Sequence, residues 1–316
     1  MFYKKVFSFF VFPFCLTVLQ QPLSATVSIE NKEDKNSILV LDNISASDKP
    51  VNFRTAKMLE ENYKNKGNTF GLNKLKVSGS GQFSSDSLQW IIKNTIGNVK
   101  NNFIVVDLRE ESHGFVNGTP ISWLPSQNKA LNIKSFPQDE ELKIKELSEK
   151  KQVKIPTATS FKENGFEESE EVELDIKNTI SEETLLKNNN ISYQRFKVTD
   201  RSIPTDEEIE KFVSFVKNLN DDTWVHFHCH AGKGRATSFL VMYDMLKNSN
   251  KVAFEDIINR QAATNSSNNL LTHIKQDKSE IIEKRAKFLK SFYLYTKALD
   301  NNYKGKWREW VLNSIN

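Results

Sequence analysis

The pattern of apolar and polar positions separates a leader from an alternating series of strands and helices. Val6 to Leu19 is an almost unbroken apolar run behind Lys4 and Lys5. Polar residues and the small-residue cleavage pattern Leu23-Ser24-Ala25 follow it. The run is shorter than the about 20 residues of a membrane-spanning helix. Residues 1–25 are therefore expected to be a signal peptide, with the protein exported to the periplasm or beyond and without a stable membrane anchor after cleavage. Residues 26–50 are polar and irregular apart from Ile38-Leu39-Val40-Leu41. Leu88, Ile91, Ile92 and Ile96 fall at helical spacing and predict a helix over Ser84 to Ile96. Phe103 to Val106 predicts a buried strand ending at Asp107.

Residues 108–190 carry scattered glycines and prolines and read as an insertion or small subdomain, centred on about 115–190. Regular patterning then returns. Ser181 to Lys187 predicts a short helix and Tyr193 to Val198 a strand. Thr205-Asp206-Glu207-Glu208 is a capping-box start for a helix that carries Ile209, Phe212, Val213 and Val216. Thr223 to Cys229 predicts a strand, and a glycine-containing turn leads to an apolar helix from about Ala236 to Leu246. Further helices are expected near 252–263 and 277–299. Strands alternating with helices indicate an α/β fold with a mainly parallel sheet.

Composition narrows the chemistry. The chain has 316 residues and 2 cysteines, too few for a disulfide framework or a multi-cysteine metal site. The formal charge is 44 − 40 = +4, with no long basic tail, which argues against a dedicated nucleic-acid binder. Cys15 lies in the leader behind Phe12-Pro13-Phe14 rather than small residues, which argues against lipidation. Cleavage after Ala25 would leave Cys229 alone, a liability in an exported protein unless it is buried or used.

Cys229 opens the stretch His228-Cys229-His230-Ala231-Gly232-Lys233-Gly234-Arg235, between a strand and a helix N-terminus. Such a junction turns backbone N–H groups and the positive end of a helix dipole toward an anion. Gly232 and Gly234 let the backbone wrap closely, and Arg235 can return to clamp two phosphate oxygens. The same field favours a thiolate at Cys229. His230 and Lys233 add positive charge. His226, His228 and His230 alternate, but strand spacing followed by a loop is not a metal-site geometry; no cofactor or metal is expected.

The loop resembles the signature of the cysteine-dependent protein-tyrosine-phosphatase superfamily. More closely, the chain is similar to its bacterial phytases, which dephosphorylate inositol hexakisphosphate. The resemblance extends over Asn52-Phe53-Arg54-Thr55, Val106 to Gly118, Ser122-Trp123, Thr199-Asp200 before Pro204-Thr205, Trp224 to Cys229, and Val241 to Asn248. It implies a protein-tyrosine-phosphatase-like α/β fold with a central sheet flanked by helices, a smaller β-rich insertion, and a phosphatase domain over 26–316. It implies Cys229 as nucleophile, Arg235 and the loop residues His230, Ala231, Gly232, Lys233 and Gly234 as phosphate ligands, and Asp200 as general acid. Arg54, Lys278 and Arg285 match positions where the family uses basic residues for neighbouring phosphates, and Asp107 would orient the loop. Two departures stand out. Ile203 precedes Pro204 where the family carries a tryptophan. Ala236 follows the arginine where the family has a hydroxyl that assists the cysteine as leaving group; Thr237 comes one residue later.

The expected activity is metal-independent removal of phosphate from inositol polyphosphates through a phosphocysteine, with a small anionic substrate as partner. A phosphotyrosine protein phosphatase, a phosphoinositide lipid phosphatase and a phosphate-binding module without turnover are the alternatives. A deep aromatic-lined cleft would favour the first, the His230 and Lys233 pair the second, and Ala236 the third.

Overall fold

The computed structural model describes residues 37–42, 48–96, 102–125, 137–160, 169–265, 270 and 279–315. The leader, Cys15 and Lys278 lie outside them. Among the described residues, no helix is long and apolar enough to cross a membrane.

Five strands make the central sheet: β2 (Arg54–Thr55), β3 (Val77–Ser80), β4 (Phe103–Arg109), β10 (Ser192–Val198) and β11 (Trp224–His228), in the order β10-β4-β11-β3-β2. The first three pairings in that order are parallel, and β2 closes the edge antiparallel to β3. The sheet is mainly parallel, in agreement with the alternating pattern. A second sheet of four antiparallel strands follows the order β1-β6-β5-β9. It consists of β1 (Ser37–Leu41), β5 (His113–Val116), β6 (Thr119–Pro125) and β9 (Thr179–Ile180). β7 (Gln152–Pro156) and β8 (Glu171–Asp175) form a separate hairpin. The smaller β-rich part thus draws one strand, β1, from the stretch before residue 50.

The helices start where their caps predict. α1 (Ala56–Tyr63) is capped by Thr55, α2 (Ser85–Thr95) by Ser84, α4 (Glu182–Asn188) by Ser181 and α5 (Asp206–Asn218) by Thr205, each hydroxyl accepting a first-turn N–H. At α5 the Glu208 carboxylate takes the Lys197 backbone N–H and Lys211. α3 (Pro137–Ser148) lies within the insertion. α6 (Gly234–Asn248) is apolar on nearly every side because it is buried on nearly every side. α7 (Phe254–Gln261) is tied to it by Arg260, whose Nε donates to Asp244 at 2.7 Å. α8 (Ser279–Asp300) and α9 (Trp307–Ile315) complete the chain; the sequence pattern did not anticipate α9.

Period-two alternation along the central strands sorts two kinds of layer. Val106, Leu108, Phe196, Val198, Val225 and Phe227 enter the larger core with Phe212 and Phe239. Phe103 and Val105 enter the opposite core with Phe83, Leu88 and Leu186. The residues that continue that second face are polar: Asp107 and Arg109 on β4, His226 and His228 on β11, all fully buried. β4 runs two residues beyond Asp107, which places Arg109 inside the protein.

Candidate active site

Parallel α/β sheets expose their ligand sites at the carboxyl ends of the strands. Here β3, β4, β10 and β11 end together at Ser80, Arg109, Val198 and His228. Cys229 follows β11 at once and is 3% exposed. The loop turns at Gly232, whose φ of 69° is in the left-handed region. A Cβ there would overlap the Gly81 nitrogen and stand 2.8 Å from the Ser80 carbonyl oxygen, so only glycine fits. Gln82 N–H donates to the His230 carbonyl at 3.0 Å and Asn52 Nδ2 to the Ala231 carbonyl at 2.9 Å, fixing the loop from outside. Lys233 and Ala231 are exposed, and Gly234 begins α6.

Arg235 returns over the loop and is 3% exposed. Its Nη1 donates to Glu111 Oε2 at 2.7 Å and to the Val198 carbonyl at 3.0 Å; Nη2 donates to Glu111 Oε1 at 2.9 Å. Asp200 Oδ1 stands 3.2 Å from Nη2. Arg235 Nε has no hydrogen-bond partner among the described residues. Although burial opposes its charge, Glu111 and Asp200 hold the guanidinium above its ordinary range. Asp200 sits in a turn after β10, with its side chain 52% exposed, and Thr199 bonds Glu110 to hold that turn. Ile203 is partly buried against the larger core, where the family carries tryptophan. Arg285, on α8, is 8% exposed, and its Nη2 lies 3.1 Å from where a Gly234 Cβ would stand. Burial lowers it, while Asp200 and Cys229 oppose that fall.

The structure therefore brings together Cys229, Arg235, Asp200, Gly232, Gly234 and Arg285. Three further candidates make contacts of other kinds. Arg54 is 1% exposed, and its Nη groups bond Asn52, Gly232 and Thr237 behind the loop. His230 Nε2 lies 3.1 Å from Asp42 Oδ1, and both residues line a cavity with Gln82 and Ser85. Asp107 is fully buried and accepts the Arg109 N–H at 2.8 Å and the Tyr193 hydroxyl at 2.9 Å, so it does not reach a substrate.

The acids that hold these groups, Glu111 and Asp42, were not among the expected site residues. Glu111 links Arg235 to Arg109, whose Nε donates to it at 2.9 Å. Asp42, just after β1, meets Arg109 Nη1 at 3.1 Å, the Ser122 hydroxyl at 2.6 Å and His230. The signal was the charged residue at every second position, Asp107, Arg109 and Glu111, continuing a buried strand. Asp107, Glu182 and His228 also bring ligand-type atoms within 4.8 Å of one another. These charges already have partners: His228 Nε2 is 2.6 Å from Glu182 Oε1, and Arg195 Nε is 2.9 Å from Asp107.

Comparisons with known proteins bear on this arrangement. A family model described as PTP-like phytase, inositol hexakisphosphate, matches residues 106–247. A PTP-like phytase from Bdellovibrio bacteriovorus is 32% identical, with a TM-score of 0.67, over 88% of this chain and 95% of that one. The chain belongs to the PTP-like phytase family. It is a family of phosphatases that act on phosphate esters. The PTP-like myo-inositol phosphatase from Mitsuokella multacida, solved with myo-inositol-(1,3,4,5)-tetrakisphosphate, is 28% identical with a TM-score of 0.76, over 89% of this chain and 48% of that one. The effector protein hopD2 of Pseudomonas syringae pv. tomato is 30% identical over 248 residues, 77% of this chain and 52% of that protein. The chain thus spans about half the length of the latter two relatives.

Proposed function

We propose that this chain is an exported phosphatase for inositol polyphosphates that works through a phosphocysteine. The observation that carries the reading is the pairing of a buried Cys229 with an Arg235 guanidinium held by Glu111 and met by Asp200 at 3.2 Å. Arg285, beside the start of α6, adds a second guanidinium next to Arg235, which favours a polyanion over a singly phosphorylated tyrosine ring. A relative solved with an inositol tetrakisphosphate supports the substrate class.

The chemistry follows from the parts. The Cys229 sulfur attacks phosphorus in line with the ester oxygen, and a P–S bond forms as the P–O bond breaks. Loop N–H groups and Arg235, its Nε included, stabilise the equatorial oxygens. Asp200 protonates the departing alcohol, then takes a proton from the water that cleaves the phosphocysteine. Arg285, beside the start of α6, and the exposed Lys233 supply charge for neighbouring phosphates, and Lys278 is assigned the same role from its sequence position. The guanidiniums supply the charge that a metal would otherwise provide, so turnover is expected to persist in chelator.

Timed phosphate release from inositol hexakisphosphate, a phosphotyrosine peptide and a phosphoinositide, with and without chelator, tests the reading. Rapid release from the first is expected. An untouched inositol hexakisphosphate beside an efficiently cleaved phosphotyrosine peptide would overturn it. Cys229→Ser is expected to abolish release while still binding substrate. The export reading is tested by fractionating cells that express the full chain and determining the mature N-terminus; an intact leader retained in the cytoplasm would refute it.

A further inference from the structure

Arg54 differs from the other buried arginines of this region. Arg109, Arg195, Arg235 and Arg260 each have a carboxylate within hydrogen-bond distance. Arg285 lies in the field of Asp200. Arg54 is 1% exposed, and its bonds go to neutral oxygens: Asn52 O at 2.8 Å, Gly232 O at 2.9 Å and Thr237 Oγ1 at 2.7 Å. Its Nε has no partner among the described residues. A buried charge without an opposite charge is costly unless something anionic offsets it. Burial pulls the Arg54 guanidinium down to about 10, and the charge opposing that fall is Cys229.

The surroundings explain why a cation is useful there. Ala236, directly after the loop arginine, has no hydroxyl to offer the sulfur. Thr237 has one, and it receives Arg54 Nη2. The position of Arg54 is fixed from both ends: it lies on edge strand β2 opposite Gly79 of β3, and its guanidinium grips both the turn at Gly232 and the first turn of α6. A substrate phosphate cannot reach Nη1 or Nη2 without breaking those bonds.

We propose that Arg54 is a positioning residue for the nucleophile's loop and not a receptor for a second phosphate: from behind the loop it fixes the curvature through Gly232 and Thr237, and so the place of the Cys229 sulfur at the loop's start. The proposal rests on the reading of Cys229 as nucleophile. In the second half-reaction, a water oxygen bonds phosphorus and its proton passes to Asp200. The P–S bond breaks, its electron pair returns to sulfur, and Arg54 stays protonated throughout.

Alkylation of Cys229 by iodoacetamide against pH, followed at the Cys229 peptide by mass spectrometry, tests this without substrate. Arg54→Gln is expected to slow alkylation about tenfold. It should also lower kcat about tenfold on both inositol hexakisphosphate and p-nitrophenyl phosphate, with KM changed less than about threefold. Arg54→Lys should restore part of both. An unchanged alkylation profile would overturn the proposal. So would a KM that rises for inositol hexakisphosphate alone, since that is the signature of a phosphate subsite. If Arg54→Gln does not fold, Thr237→Val keeps the charge and frees Nη2; it should slow alkylation in the same direction, and no change would count against the proposal. The alkylation result needs no turnover, so it stands apart from any failure of the wild type to hydrolyse inositol phosphates.

Discussion

Glu111 holds Arg235 by both carboxylate oxygens, at 2.7 and 2.9 Å, and its Oε1 also accepts Arg109 Nε at 2.9 Å. One acid thus fixes the plane of the guanidinium that would clamp the phosphoryl group. Burial alone would raise this carboxyl; Arg235 and Arg109 outweigh it and hold the group well below the usual carboxylate range. Glu111→Gln keeps the shape but leaves two buried guanidiniums without that charge. A loss of about 3 kcal/mol in stability is expected from breaking a buried pair. A fall of about 100-fold in kcat/KM is expected from misplacing Arg235. Urea unfolding and steady-state kinetics check both, and an unchanged kcat/KM would remove Glu111 from the positioning role.

Gly232 has no room for a side chain. Its φ is 69°, and a Cβ would overlap the Gly81 nitrogen and crowd the Ser80 carbonyl. These atoms are backbone at the end of β3 and have nowhere to retreat. Gly232→Ala is expected to destabilise by about 2 kcal/mol or more and to abolish turnover by opening the loop. Gly234→Ala is a milder change, because the nearest atom is the end of the Arg285 side chain at 3.1 Å. Thermal unfolding of the two variants should rank them in that order; the reverse ranking would contradict the loop geometry.

The residues that were legible in the sequence are those whose role is local. Ser84, Ser181 and Thr205 cap the helices they were expected to start, because a cap is decided within four residues. The loop from Cys229 to Arg235 was legible for the same reason. Arg54 was expected near a phosphate from the family resemblance, His230 from its place in the loop, and Asp107 was expected to orient the loop. Their partners lie far along the chain: Thr237 for Arg54, Asp42 for His230, Tyr193 and Arg195 for Asp107. Pairings across such separations depend on sheet order, which the pattern of one strand does not reveal. Strand β1 joins a sheet otherwise built from residues 113–125 and 179–180, and nothing local to Ile38 to Leu41 specifies that.

Asp200 should reveal itself by the leaving group. It stands 3.2 Å from Arg235 Nη2 at the rim of the site. A general acid matters most when the departing oxygen is a poor leaving group. Asp200→Asn is expected to lower kcat by about 100-fold or more for inositol hexakisphosphate and markedly less for p-nitrophenyl phosphate. Equal losses on the two substrates would assign Asp200 to holding Arg235 instead.

Two buried histidines set the pH of greatest stability. His113 is raised: burial and the Arg109 charge push it down, but Asp107, Glu140 and Glu182 outweigh them. Its contribution is complete below the ordinary value of 6.5 and is lost as pH rises through the folded value. His226 is held well below 6.5, first by burial and then by the His228 charge. It is buried neutral between Ser78 and Ser80, at 2.8 and 3.1 Å. Its contribution is present above 6.5 and is lost as pH falls toward the folded value. Glu111, Glu182 and Asp42, all held below the carboxylate range, steepen the loss further once pH drops under about 4.5. The two histidine limbs meet at about pH 6.5, where the melting temperature should peak. His113→Gln is expected to flatten the alkaline limb and leave the acid limb in place; His226→Gln should do the opposite between about pH 4.5 and 6.5. Melting curves by circular dichroism across that range check the shapes, and a wild-type melting temperature still climbing from about pH 6.5 to 9 would contradict the assignment of His113.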